Sequence, residues 1–229
     1  MTFIDKKKIK TIAEKRTIKS LVHFTRIDNL PTIFDKGLCP QPEAEKVGAI
    51  INDNTNENPD SVCLSITHSS GMSKAMQEKD YSVSWCVIAL APDILWEHEC
   101  RFYPANAVRR NFRGKPPSDF QGDSALEAMF KNTIAGEKNL IDTRNKNLLS
   151  YMPTNQQAEV RVVGAINPQH FRGIYIKDAE DEDKIRSMIN PPNQIEINQG
   201  SFLFNTRDYC MQYKGKREDY IKWLNGRYF

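Results

Sequence analysis

Polar and apolar positions alternate with a period of two in several short stretches of the chain, a pattern that predicts strands. Residues 21–25, Leu-Val-His-Phe-Thr, form one stretch; residues 61–67, Ser-Val-Cys-Leu-Ser-Ile-Thr, form another. In the second, Ser65 and Thr67 take one face and Leu64 and Ile66 the other. Residues 82–90 are apolar over most of their length, as in a strand buried on both sides. Residues 159–163, 173–176 and 194–197 predict three more strands. Residues 4–18 read as a basic helix. Asp28 is placed to cap a helix over 29–36, with Pro31 in its first turn and Gly37 closing it. Shorter helical segments are expected at 72–79, 92–96, 124–130 and 218–225, with a polar loop at 52–60 and a basic loop at 106–120. Strands dominate the middle and helices the two ends, without a regular strand–helix alternation, so the class is α+β.

The 229 residues suffice for one domain with a real core. We expect a single domain over 1–229, with 1–20 as a basic N-terminal helix and 180–229 as a C-terminal extension. At 39% hydrophobic and 27% charged residues the composition is that of a soluble protein. No apolar run approaches the roughly 20 residues that span a bilayer, and no apolar segment follows the basic start as a secretory signal requires. The five cysteines are scattered and form no CxxC pair, which argues against a disulfide framework or a zinc site and for the cytoplasm. We expect no metal, no membrane contact and a monomer. Neither GxGxxG nor a Walker loop occurs, which removes Rossmann and P-loop chemistry.

The net charge of +3 is unevenly spread. Residues 6–19, 101–115 and 214–227 are basic, and the last stretch carries Tyr220 and Trp223, with Tyr228 and Phe229 just beyond it. Basic segments interleaved with aromatics suit phosphate contact and base stacking, and equally serve as solvated helix faces. His23 and Thr25 share one face of their strand, where an imidazole and a hydroxyl can hydrogen-bond a ribose diol, while Phe24 turns into the core. Glu159 starts the strand at 159–163 with Gln157 two residues before it, and because side chains on a strand alternate faces the two point the same way. That sets an amide beside a carboxylate at a strand edge, a setting in which many ADP-ribosyltransferases hold their catalytic glutamate.

The opening His23-Phe24-Thr25, Asp28-Asn29-Leu30, Ile33, Gly37-Leu38 resembles the DarT group of bacterial DNA ADP-ribosyltransferase toxins. The resemblance continues in order through residues 61–67, 100–107, 126–130 and 153–160. It implies an ADP-ribosyltransferase fold: a split mixed or antiparallel β-sheet with flanking helices around an NAD cleft. It implies transfer of ADP-ribose from NAD to a base in single-stranded DNA, opposed by a macrodomain antitoxin of the DarG type, in toxin–antitoxin or phage-defence settings. On this reading Glu159 is catalytic. His23, Phe24 and Thr25 hold NAD, and Ser65 and Thr67 line its nicotinamide end. Gln157, Tyr151, Arg109 and Arg110 face the acceptor nucleic acid. The family also places an arginine in the segment after the first helix of that opening, where residues 41–60 here contain Lys46 and no arginine. Arg101, Arg109 and Arg110 are the candidate substitutes, and the acceptor base stays open. An RNA acceptor and a nucleic-acid-binding module without catalysis are the alternatives.

Overall fold

The apolar run becomes β3 (Trp85–Leu90), whose six residues are all buried. The computed structural model describes residues 4–51, 58–68, 80–135, 141–192, 195–212 and 218. Burial on both faces follows the period of two. Cys86, Ile88 and Leu90 enter a core that runs from Ile9 to Ile195. Trp85, Val87 and Ala89 enter a second cluster with Val22, Tyr175, Leu203 and Phe204. β3 pairs antiparallel with β1 (Leu21–Arg26) on one side and with β8 (Phe171–Ile176) on the other. Beyond β1 lie β2 (Ser61–Ile66), β7 (Glu159–Val163) and β4 (Cys100–Tyr103), again antiparallel. Beyond β8 lies β9 (Glu196–Gln199), the one parallel neighbour. The sheet order is therefore β4-β7-β2-β1-β3-β8-β9, and a small hairpin of β5 (Thr133–Ala135) and β6 (Ile141–Thr143) stands apart. The α+β class and the mixed sheet agree with the sequence pattern.

Helices flank this sheet. The carboxylate of Asp5 caps α1 (Lys6–Lys15) by accepting from the amides of Lys7 and Lys8, and Ile9 and Ala13 form its buried stripe. α1 packs on α4 (Ile94–Glu97) and α5 (Gly122–Ala128). Between β1 and β2 lie α2 (Leu30–Lys36) and α3 (Gln41–Lys46), and α6 (Glu180–Met188) and α7 (Arg207–Gln212) follow later. Asp28 does not cap α2. It lies in a 3-10 turn, Ile27–Asn29, and pairs with Arg26 and Lys184 instead. Gly37 closes the helix at φ +86° as expected, and Leu38 then bridges to Ile166. The expected helices at 72–79 and, beyond residue 218, 219–225 lie outside the described residues, as do 52–57 of the polar loop and the aromatics Tyr220, Trp223, Tyr228 and Phe229.

One break in the sheet positions everything that follows. The register of β1 on β2 pairs Leu21 with Ile66 and Val22 with Ser65, and continued it would reach Arg26 and Ser61. It stops after Val22, although both strands run on and pair with their other neighbours. The sheet therefore opens into two halves from His23 onward. Across the opening the His23 Nδ1–H donates to the Cys63 carbonyl at 2.9 Å, a side-chain bond in place of a ladder bond. This fixes the tautomer with Nδ1 protonated and leaves Nε2 an acceptor. Burial, and secondarily the Arg161 charge, hold the imidazole below its ordinary value of 6.5, while the Cys63 carbonyl opposes them.

Two outcomes follow. A Cβ on Gly37 would meet the Ile166 carbonyl oxygen, whereas Gly48, also at φ +86°, faces open space. In urea unfolding, Gly48→Ala should cost about 1 kcal/mol for its backbone alone, and Gly37→Ala about 3 kcal/mol because the bridge must move as well. Equal costs would show that the contact yields freely. For His23, the folded value lies below the unfolded one, so the unfolded chain takes up the proton first as pH falls. Its contribution is complete above about pH 7 and is lost as pH drops through about 6.5 towards the lower folded value. Thermal melts from pH 7.5 to 5 should fall less steeply for His23→Asn than for the unsubstituted protein; parallel curves would refute a neutral clamp.

Candidate active site

The opening between β1 and β2 is a cavity of about 280 Å³. That is close to the lower bound of ordinary ligand pockets, about 300 Å³. His23, Thr25, Ser65, Glu159 and Arg161 line it together with Phe24 and Trp85. Phe24 was expected in the core. At an unpaired strand edge both faces border the gap, so Phe24 reaches the cavity too, half-buried and stacked on Trp85 with ring centroids 4.8 Å apart. The pair gives one wall a flat aromatic surface. Asn29 sets the opposite rim. Its Nδ2 donates to Thr25 Oγ1 at 3.3 Å and to the Ile50 carbonyl at 3.1 Å, while its Oδ1 accepts from the Ile50 amide at 2.8 Å. The segment after α3 is thereby tied to β1.

Glu159 is the first residue of β7 and is buried. Arg161 sits two residues on, hence on the same face, and its Nε donates to Glu159 Oε2 at 2.7 Å. Burial alone would lower the guanidinium. The neighbouring Cys63 and Glu159 reverse this and hold it above its ordinary value, so Arg161 is a fixed cation. Glu159 Oε1 accepts no hydrogen bond among the described residues. The pair thus presents one tethered and one available carboxylate oxygen to the cavity.

The turn leading into β7 is gripped by two arginines. Arg144 Nη1 and Nη2 donate to the carbonyls of Met152 and Leu149 at 2.7 Å each. Arg207, itself buried, donates to the carbonyls of Pro153 and Thr154. Asn155 Oδ1 accepts from the Gln157 amide at 2.7 Å, and its Nδ2 donates to Asp142 Oδ2, also at 2.7 Å. The backbone before Glu159 is therefore fixed by side chains, where no sheet ladder reaches it.

The structure brings His23, Phe24, Thr25, Ser65 and Glu159 to one cavity and leaves the other expected site residues away from its walls. Thr67 does not share the strand face of Ser65, because β2 ends at Ile66. Thr67 takes φ +66°, and its amide donates to the Ser20 carbonyl. Gln157 does not alternate with Glu159, because it lies in the turn ahead of the strand. Tyr151 is half-buried against Leu148, Leu149 and Met152, and burial raises its phenol. Arg109 is paired with Asp142 at 2.9 Å, and Arg110 is exposed. Arg101 is committed to Asp60 by two bonds of 2.8 and 2.6 Å. None of these three arginines lines the cavity; Arg161 does, and its spacing of two from Glu159 on a strand was the signal for it.

Comparison with known proteins agrees with this geometry. Among curated proteins nothing matches the chain. Solved structures that it resembles include Thermosipho africanus DarTG in complex with ADP-ribose, at 16% identity and a TM-score of 0.56, covering 81% of this chain and 51% of that one. The chain thus spans about half the length of that relative. Thermus sp. 2.9 DarT in complex with NAD+ is similar at 14% identity and a TM-score of 0.54, covering 81% and 97%. The same protein in complex with ADP-ribosylated ssDNA gives 12% identity and a TM-score of 0.50, covering 82% and 96%. At these identities the likeness is one of fold. The family model described as "ssDNA thymidine ADP-ribosyltransferase, DarT" matches residues 22–204, a span that holds every residue of the cavity wall, and on that match the chain belongs to the DarT family.

Proposed function

We propose that this chain transfers ADP-ribose from NAD to thymidine in single-stranded DNA, with Glu159 as the catalytic residue. The observation that carries the reading is the Glu159–Arg161 pair at the mouth of a split sheet in a chain of this family. NAD is the co-substrate. The neutral His23 offers Nε2 to a ribose hydroxyl, Ser65 and Thr25 add hydroxyls, and the Phe24–Trp85 wall suits a planar ring. Gln157, Tyr151, Arg109 and Arg110 belong to the acceptor side, on the turn and loop around β7.

In the reaction the bond between ribose C1′ and nicotinamide nitrogen breaks, its electron pair leaving with neutral nicotinamide. Positive charge grows on the ribose, and the buried carboxylate stabilises it. In thymidine, whose N1 is bonded to deoxyribose, the only ring N–H is N3–H. Its proton passes to Glu159 as the N3 lone pair forms the new bond to C1′, and the carboxyl then returns the proton to water. Arg161 Nε holds Oε2 so that Oε1 faces the reacting centre. This guanidinium is tied to the carboxylate and does not do the work of the arginine absent from 41–60. The base must present its edge, which selects an unpaired strand.

The chain acts as one domain and one copy in the reducing cytoplasm. No disulfide joins the five cysteines, and among the described residues no helix is long and apolar enough to cross a membrane. A macrodomain antitoxin that removes the modification is the partner expected of a toxin of this kind.

The reading is tested by incubating the protein with NAD and single-stranded oligonucleotides of each base, DNA and RNA, and weighing the products. One ADP-ribose should add to thymidine-containing DNA alone; addition only to RNA, or to none, would overturn it. Glu159→Gln should lower the rate by about 10²–10⁴-fold at a temperature where the variant is still folded, although the broken ion pair lowers its melt. Arg161→Gln should lower kcat about a hundredfold while the KM for NAD moves little, because it misplaces Oε1 and not the co-substrate. A variant affected in KM alone would make Arg161 a binding contact.

A further inference from the structure

Three guanidinium groups converge on the turn that delivers Glu159, and they come from distant parts of the chain. Arg144 follows β6 and takes the Leu149 and Met152 carbonyls. Arg207 opens α7 and takes those of Pro153 and Thr154. Arg16 closes α1. Its Nη1 donates to the Ser150 carbonyl at 3.2 Å, and the Ser150 hydroxyl donates back to the Arg16 carbonyl at 3.0 Å. The family match covers residues 22–204, so Arg16 lies before it and Arg207 after it.

The convergence works against electrostatics. Burial first, and then the charges of Arg16 and Arg207, hold the Arg144 guanidinium below its ordinary value, so the cations feel one another. Like charges gather in this way where negative groups hold them. Here the holders are the carbonyl oxygens of a segment without ladder bonds. Asp208 Oδ1 adds to them on Arg207 at 3.0 Å, and the Phe130 ring centroid lies 4.0 Å from the Arg16 guanidinium carbon. A planar guanidinium serves two carbonyls at fixed angles, which the ammonium of a lysine on its flexible stem does not. Apolar packing strengthens the grip, since Met211 of α7 and Met152 of the turn are buried in one cluster. Thr154 is pinned on its other side, its amide donating to the Met129 carbonyl at 2.8 Å and its hydroxyl to that of Lys131 at 2.6 Å. Any shift at Thr154 is carried along the short stretch to Glu159.

We propose that Arg16 and Arg207 are positioning residues for the transfer: with Arg144 they clamp residues 149–154 in the shape that aims Glu159 into the cavity. The proposal rests on the function read above and makes the two helices outside the family match part of what catalysis needs. None of the three arginines lines the cavity, whose ribose-binding candidates His23, Thr25 and Ser65 stand on β1 and β2. Loosening the clamp therefore misplaces the carboxylate and leaves the NAD contacts as they are.

The test uses the full chain with two substitutions. Arg207→Lys keeps the charge and removes the fork; Arg16→Gln, at a half-buried position, keeps the proposal testable should the first variant fail to fold. Hydrogen exchange read by mass spectrometry should show the amides of Thr154, Gln157 and Ala158 exchanging at least about tenfold faster in either variant, with those of β1 and β3 unchanged. Steady-state transfer to a thymidine oligonucleotide should show kcat lower by about a hundredfold for Arg207→Lys and about tenfold for Arg16→Gln, with the KM for NAD within about twofold. Unchanged exchange in the turn overturns the clamp. Faster exchange with kcat unchanged, or a loss confined to KM, overturns the positioning role. An unsubstituted protein that transfers nothing overturns the function read above instead, and the exchange measurement still decides whether the clamp exists.

Discussion

The sheet depends on a ladder that stops. β1 and β2 are in register for full pairing, yet only Leu21 and Val22 find partners on β2. Backbone groups freed in this way must be satisfied elsewhere or by solvent. One of them, the Cys63 carbonyl, is taken by the His23 imidazole at 2.9 Å. The same side chain that spans the gap lines the cavity, so the histidine is at once a structural brace and a wall of the site. Its neutrality follows from burial and from the nearby Arg161. A charged imidazole beside a fixed guanidinium would cost free energy with no anion on its own strand to offset it.

The second constraint is the buried ion pair on β7. A carboxylate at 4% exposure with a guanidinium beside it is costly to desolvate and equally costly to break, about 3–5 kcal/mol for removing one partner. Such a pair is tolerated where its geometry is excellent. Here the two groups share a strand face and need no loop to bring them together. The preceding turn is equally determined: Arg144 and Arg207 satisfy four carbonyls between Leu149 and Thr154. Each guanidinium replaces the ladder bonds that an irregular segment lacks. The result is a carboxylate whose backbone, side chain and approach are each set by a separate cation.

Much of this was legible in the alternation of residues. β1 and β2 follow from alternating stretches, β3 from its apolar run, β7 and β8 from short strand-like segments, α1 from its basic helical stretch, and α2 from Pro31 and Gly37. What escaped has physical reasons. β4 is four residues long, and Arg101 in its middle reads as surface; it is buried only because Asp60, 41 positions earlier, takes both ends of its guanidinium. No helix was expected over 180–188, although the acidic residues 180–183 form the first turn of α6, where carboxylates complement the helix N-terminus. Thr67 and Gln157 failed the alternation rule because each lies just outside its strand, where side-chain direction no longer follows a period of two. Arg161 obeyed that rule fully. The sheet split itself could not be read from residues 21–26 or 61–66, since both carry ordinary strand sequences.

The placement of the guanidinium has a consequence for how the site divides its work. An arginine on a loop after the first helix can reach for phosphate or acceptor and withdraw. Arg161 cannot, because it is strand-borne, 16% exposed at its side chain and held at 2.7 Å by Glu159. Its charge is therefore available to orient the carboxylate and to temper its field, and is largely spent there. Under the proposed function, recognition of a diphosphate falls to groups of weaker charge, the hydroxyls and the imidazole that line the cavity. Under that proposal the cation beside the carboxylate is separate from the donors of binding, so that the chemistry rests on β7 and the affinity on β1 and β2.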